Sequence, residues 1–200
     1  MTALEDQIRE QGIHYPTGYD VAYKTGFAIQ TLGMSLFAVL YLLQIPFYVW
    51  ALLVFEAGVA LSSFYLLVWN RNIKKFILGC LFMGILFQLI GAFMPFGASE
   101  VLHEKFFVIG LAFILVAASG LYGKEAYCFR FNEGWVILLL YPLWVLPNIF
   151  ATPVRYNIVI GFVLSALHFS FLRKKLAQPL LRGCDVKGCE PPPPATGDKP

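Results

Sequence analysis

Two groups of side chains in this 200-residue sequence have the types and spacing to do chemistry. The first is a set of polar residues set into otherwise apolar runs: Glu56, Gln88 and His168. A carboxyl, an amide and an imidazole inside the membrane could pass a proton or hold a polar solute where water is scarce. The second is the string Lys124-Glu-Ala-Tyr-Cys-Phe-Arg-Phe131, in which Lys124, Glu125 and Cys128 crowd an amine, a carboxyl and a thiol together. Acid, base and nucleophile types are all present there, yet their order matches no recognised catalytic arrangement.

Other candidates carry less. Glu100, His103 and Glu104 stand at i, i+3 and i+4, as metal ligands on one helix face do, but no further strong ligand lies nearby, so they read as surface charge. Cys184 and Cys189 lack the paired short spacings of a zinc or iron–sulfur site; they read as ordinary thiols or as a transient redox pair. Only His168 of the three histidines falls in an apolar run, which argues against a bis-histidine haem. The sequence therefore predicts no catalytic residue, no metal and no cofactor.

The elements that must position these groups follow from composition. Hydrophobic residues make up 58% and charged residues 14%, and mean hydropathy is +0.68. Soluble domains carry about 25% charged residues. A chain this poor in charge has lipid, not water, as its main solvent. The net charge of +3 carries little by itself, and no basic stripe points to nucleic acid.

A helix crossing a bilayer needs about 20 mostly apolar residues. Six runs qualify, at 27–43, 46–69, 76–96, 106–122, 135–150 and 156–172. Helix is required because lipid offers the backbone no hydrogen-bond partner, and these runs are too long and continuous for barrel strands. The expected fold is an all-α membrane protein: a six-transmembrane-helix bundle with both termini cytoplasmic. Residues 1–26 form a polar lead-in, 27–172 the membrane domain, and 173–200 a basic then proline-rich tail. No cleavable signal is visible in the lead-in, so the first apolar run reads as an uncleaved anchor. Pro142 and Pro147 predict a kinked fifth helix, and residues 123–134 read as the longest internal loop.

Charge orients the bundle. With six crossings, every Lys and Arg except Lys105 and Arg155 falls on the side shared by the termini and the second and fourth loops. Positive charge accumulates in the cytoplasm. Tyr48, Trp50, Trp69, Tyr122, Trp135 and Tyr156 lie near predicted span ends, where amphipathic rings suit the interface. Thr2 and Glu5 form a capping-box pattern near the start, and residues 191–194 are a polyproline run.

Glu56 falls about 15 Å from the outer end of its span at the usual helical rise, and His168 falls at nearly the same depth. The two either pair, or share a pocket with Gln88, or act separately. In the last case Glu56 bonds a neighbouring helix and His168 faces the interface. Ala60 and Ser63, at i+4 and i+7 from Glu56, offer a small-residue face for close helix contact.

Residues 120–131, and within them Lys124, Glu125, Cys128 and Phe129, resemble a family of bacterial integral membrane proteins of unknown function, prominent in cyanobacteria. The resemblance implies a plasma or thylakoid-type membrane and marks Lys124, Glu125 and Cys128 for test; it implies no activity. The lipid bilayer is the expected partner, with other membrane proteins as candidates and no nucleic acid. Short loops, an aromatic cytoplasmic segment and a polyproline tail favour a scaffold or assembly factor. The alternative is a small-solute or proton-linked transporter using Glu56.

Overall fold

The computed structural model describes residues 17–66, 71–93, 100–150 and 154–178, with the side chains of residues 17, 71 and 100–103 excepted. Thr2, Glu5, Trp69, Cys184, Cys189 and the polyproline run lie outside the described residues, as do the side chains of Glu100 and His103.

Six helices make up the described residues: α1 (Thr17–Leu42), α2 (Tyr48–Phe64), α3 (Arg71–Ala92), α4 (Glu100–Phe129), α5 (Asn132–Asn148) and α6 (Val154–Ala177). Each overlaps one predicted run. Helices α1, α3, α4 and α6 are long and apolar enough to cross a membrane, whereas α2 and α5 have 17 residues each. The outward faces are strongly apolar. Phe76, Phe82, Trp50, Leu139 and Val159 are all exposed, as expected when lipid covers the surface.

Sequence explains the turns. Helix α1 ends where Gln44 adopts a left-handed backbone (φ 53°). The Ile45 N–H then donates to the Leu40 carbonyl at 2.9 Å and the Gln44 N–H to that of Tyr41 at 3.1 Å. This Schellman pattern satisfies carbonyls that the helix end would otherwise orphan. Arg130, also left-handed (φ 56°), reverses the chain between α4 and α5.

Two hairpins are drawn tight by glycine. A Cβ on Gly58 of α2 would lie 2.6 Å from the Gln30 nitrogen and 2.7 Å from the Gly26 carbonyl oxygen of α1, so only hydrogen fits there. Gly84 and Gly110 play the same part between α3 and α4. The close approach of α2 to α1 thus runs through Gly58 and Ser62, while of the small residues singled out in the sequence Ser63 is wholly buried and Ala60 packs partly buried against the core. Helix α1 also packs along α6, and α4 along α5, while the α1–α2 and α3–α4 hairpins meet less extensively.

Helix α5 continues past both of its prolines. Pro147 has no N–H, so the Leu143 carbonyl loses its helical donor. The Tyr156 hydroxyl of α6 donates to that carbonyl instead. Helix α4 extends to Phe129, so Lys124 and Glu125, expected in a loop, lie on its last turns.

Candidate functional site: a cavity above stacked polar layers

The start of α1 and the ends of α4 and α6 come together at one end of the bundle, where Glu125 meets Tyr23 and Lys175. We call this the basic end. A cavity of about 580 Å³ occupies the opposite, far end, between the loosely joined hairpins. All six helices line it. Phe37 and Tyr41 come from α1, Tyr48 from α2, Gln88 from α3, Glu104 and Phe107 from α4, Trp144 and Asn148 from α5, and Asn157 from α6.

A closed set of hydrogen bonds shapes one wall. Asn157 accepts the Trp144 indole N–H at 3.1 Å and the Asn148 amide at 2.9 Å. It donates in turn to Asn148 Oδ1 at 2.9 Å and the Tyr41 hydroxyl at 3.2 Å. All four hydrogen-bonding positions of this buried amide are therefore filled. Asn148 also donates to the Trp144 carbonyl at 2.7 Å. The network ties α1, α5 and α6 together where helix ends would otherwise splay.

Gln88 joins the cavity to a deeper layer. Its Nε2 donates to Glu56 Oε1 at 2.7 Å, and Glu56 itself is buried behind it. The sequence placed Glu56 and His168 at nearly one depth and offered Gln88 as a further member of a shared pocket; Glu56 and Gln88 do meet. His168 does not join them. Its Nε2 lies 2.8 Å from the Tyr141 hydroxyl and its Nδ1 3.4 Å from that of Tyr122, deep in a wholly buried aromatic cluster with Phe55 and Phe171. The direct pair is thus replaced by two separate layers, because Phe55 of α2 lies against the imidazole that Glu56 was expected to meet.

The third layer is ionic and sits at the basic end. Glu125, fully buried, accepts from Tyr23 at 2.8 Å, Lys124 at 2.7 Å and Lys175 at 2.5 Å. Both ammonium groups also lie over the rings of Tyr23 and Phe129. Lys24 pairs with Asp20 at 3.2 Å and donates to the Gln178 carbonyl at 2.8 Å. Buried charge survives in such a place only when paired and hydrogen-bonded. Lys124 and Glu125 are therefore internal partners and not a displayed recognition surface; Cys128 alone of that candidate trio is exposed. Beside the cluster, Glu133 accepts from Lys174 at 2.6 Å and Ser170 at 2.8 Å. Partial burial pushes its carboxyl up, but these hydrogen bonds outweigh that and hold it below the ordinary carboxylate range.

No family model, curated protein or solved structure matches this chain.

Sequence reasoning missed Asn148, Asn157 and Trp144, which organise the cavity. Asparagine at the end of one apolar run and at the start of the next was the available signal, since polar amides in such runs commonly bond between helices. It also missed Tyr122 and Tyr141 as partners of His168. Tyrosines near predicted span ends read as interface anchors, yet Tyr122 is wholly buried.

Proposed function

We propose that this chain is a six-crossing membrane protein that binds a small solute in the far-end cavity and carries it across the bilayer. In this reading α2 and α5 also cross, both termini lie in the cytoplasm, and the membrane is bacterial plasma or thylakoid-type, as the resemblance around Lys124 and Cys128 implies. One observation carries the proposal: a cavity lined from all six helices whose wall residue, Gln88, is bonded to the buried carboxyl of Glu56. Its volume falls within the roughly 300–1,000 Å³ of small-molecule sites. Intramembrane carboxyls are costly and mark solute or proton paths. The opposite end is closed by the Glu125 cluster, and a site open at one end and sealed at the other suits alternating access.

The scaffold reading has less support, because Lys124 and Glu125 are occupied inside the bundle. Exposed Tyr127, Cys128, Phe129 and Arg130 are what remain of that segment for a partner.

The test compares vesicles from cells making the full chain with vesicles from cells making Glu56→Gln at matched abundance. Both are offered a mixed small-solute extract, and uptake is read by mass spectrometry. Selective loss of at least one accumulated solute in the variant is expected. Identical uptake profiles would remove the carrier role.

A further inference from the structure

We infer that the far-end cavity selects a small organic cation, an alkyl- or arylammonium group, and this rests on the solute-binding reading above. Three observations at the cavity wall point the same way.

The first is ring surface. Phe37, Tyr41, Tyr48 and Trp144 form a contiguous aromatic wall from three helices. Centroids lie 5.1 Å apart for Phe37 and Trp144, 5.3 Å for Phe37 and Tyr41, and 5.1 Å for Tyr41 and Tyr48. Ring faces are negative, so they attract a cation, and the attraction grows as water is excluded. The second is charge. Among the described lining residues Glu104 is the sole carboxylate and no Lys or Arg is present. Lys105 and Arg155, the cations nearest in sequence at this end, are exposed and do not line the cavity.

The third is hydrogen-bonding capacity. Both amide hydrogens of Asn157 are bonded within the wall, as are the indole N–H of Trp144 and the Nδ2 of Asn148. An anion entering here would meet ring faces and a carboxylate, with these donors already committed. A neutral polar solute could bond Gln88 or the tyrosine hydroxyls but would draw nothing from the charge of Glu104. A cation needs no donor: it meets the partly exposed rings of Tyr41 and Tyr48, backed by buried Phe37 and Trp144, and is balanced by Glu104, with the Glu56–Gln88 pair beyond. The ammonium could belong to a free solute or to a lipid headgroup, since the chemistry is shared.

The experiment uses the full chain in detergent and three probes of similar ring size: benzyltrimethylammonium, benzyl alcohol and benzoate. Binding is followed by isothermal titration at constant ionic strength. Saturable binding of the cation is expected, at least about tenfold tighter than the alcohol, with benzoate weaker still. Glu104→Gln and Tyr48→Leu, one exposed and one only partly buried, should each weaken the cation by about threefold to tenfold while the helical circular-dichroism signal stays intact. Preference for benzoate or benzyl alcohol would overturn the cation assignment while leaving a solute cavity in place. No binding of any probe, together with unchanged uptake in Glu56→Gln vesicles, would overturn both readings. Cation binding indifferent to both substitutions would overturn the assignment to this cavity. Repeating the titration in phosphatidylcholine and phosphatidylglycerol nanodiscs separates the sources. Competition by phosphatidylcholine supports a headgroup occupant and its absence a free solute, and either result supports the ammonium class.

Discussion

Glu125 of α4 and Lys175 of α6, 50 residues apart in the chain, meet as a buried ion pair at 2.5 Å. The pair is not symmetric. Glu125 also holds Lys124 and Tyr23, whereas Lys175 has Glu125 as its hydrogen-bonded partner among the described residues.

That asymmetry sets the first prediction. Glu125→Gln leaves two ammonium groups without their counter-ion and should cost about 3–5 kcal/mol of stability. Lys175→Met leaves Glu125 with Lys124 and Tyr23 and should cost distinctly less. Thermal unfolding of both variants in one detergent decides it; equal losses would mean that the cluster is not organised around the carboxylate.

Helix contact through Gly58 gives the second. Gly58→Ala places a methyl against α1 backbone, which cannot yield as a flexible side chain would, and should destabilise by about 1–3 kcal/mol. Gly79, around which a Cβ meets nothing within 4 Å, is the internal control. Gly79→Ala should leave the melting temperature unchanged or slightly raised.

The cavity wall depends on one amide. Asn157→Leu removes the shared partner of Trp144, Asn148 and Tyr41, leaving polar groups of two helices, α5 and α1, unpaired, at about 1–3 kcal/mol for each group left dry. Water entering from the cavity reduces that cost, so the sharper readout is local. With Trp50, Trp69 and Trp135 replaced by Phe so that Trp144 alone emits, the emission spectrum should shift in Asn157→Leu and stay fixed in Asn72→Leu.

Glu133 supplies a pH dependence. Its folded-state pKa is depressed, so the stability it adds is present above its unfolded value, about 4.3, and is lost as pH falls through the folded value. Lys174 is half exposed, so solvent screening keeps the contribution below about 1 kcal/mol. Glu133→Gln should flatten a shallow decline in melting temperature below about pH 4. A variant curve parallel to that of the parent would assign the decline to other carboxyls.

Orientation is open to direct measurement. A reporter fused after Lys175 should be active only when its fusion site is cytoplasmic, and one inserted beside Lys105 only when outside. The reverse pattern would invert the bundle and place the cavity mouth in the cytoplasm.

The residues themselves determined where helices form. Apolar runs longer than any strand, interrupted by short polar connectors, leave the backbone no other way to satisfy its hydrogen bonds in lipid. All six overlap helices of the structure, although their ends shifted; α4, for example, carries polar Lys124 and Glu125 on its last turns. The same runs marked Glu56, Gln88 and His168 as groups needing partners. Which partner each found was a matter of rotation and neighbour choice, and hydropathy contains neither. Helical phase set Phe55, not Glu56, against His168, and the approach of α4 and α5 enclosed that imidazole between Tyr122 and Tyr141. Only tertiary packing decided that Lys124 and Glu125 point inward, because α1 and α6 supply Tyr23 and Lys175 from distant parts of the chain. The cavity is likewise a property of the assembly: it lies where two glycine-tightened hairpins meet incompletely, and no local stretch of sequence describes a gap between helices.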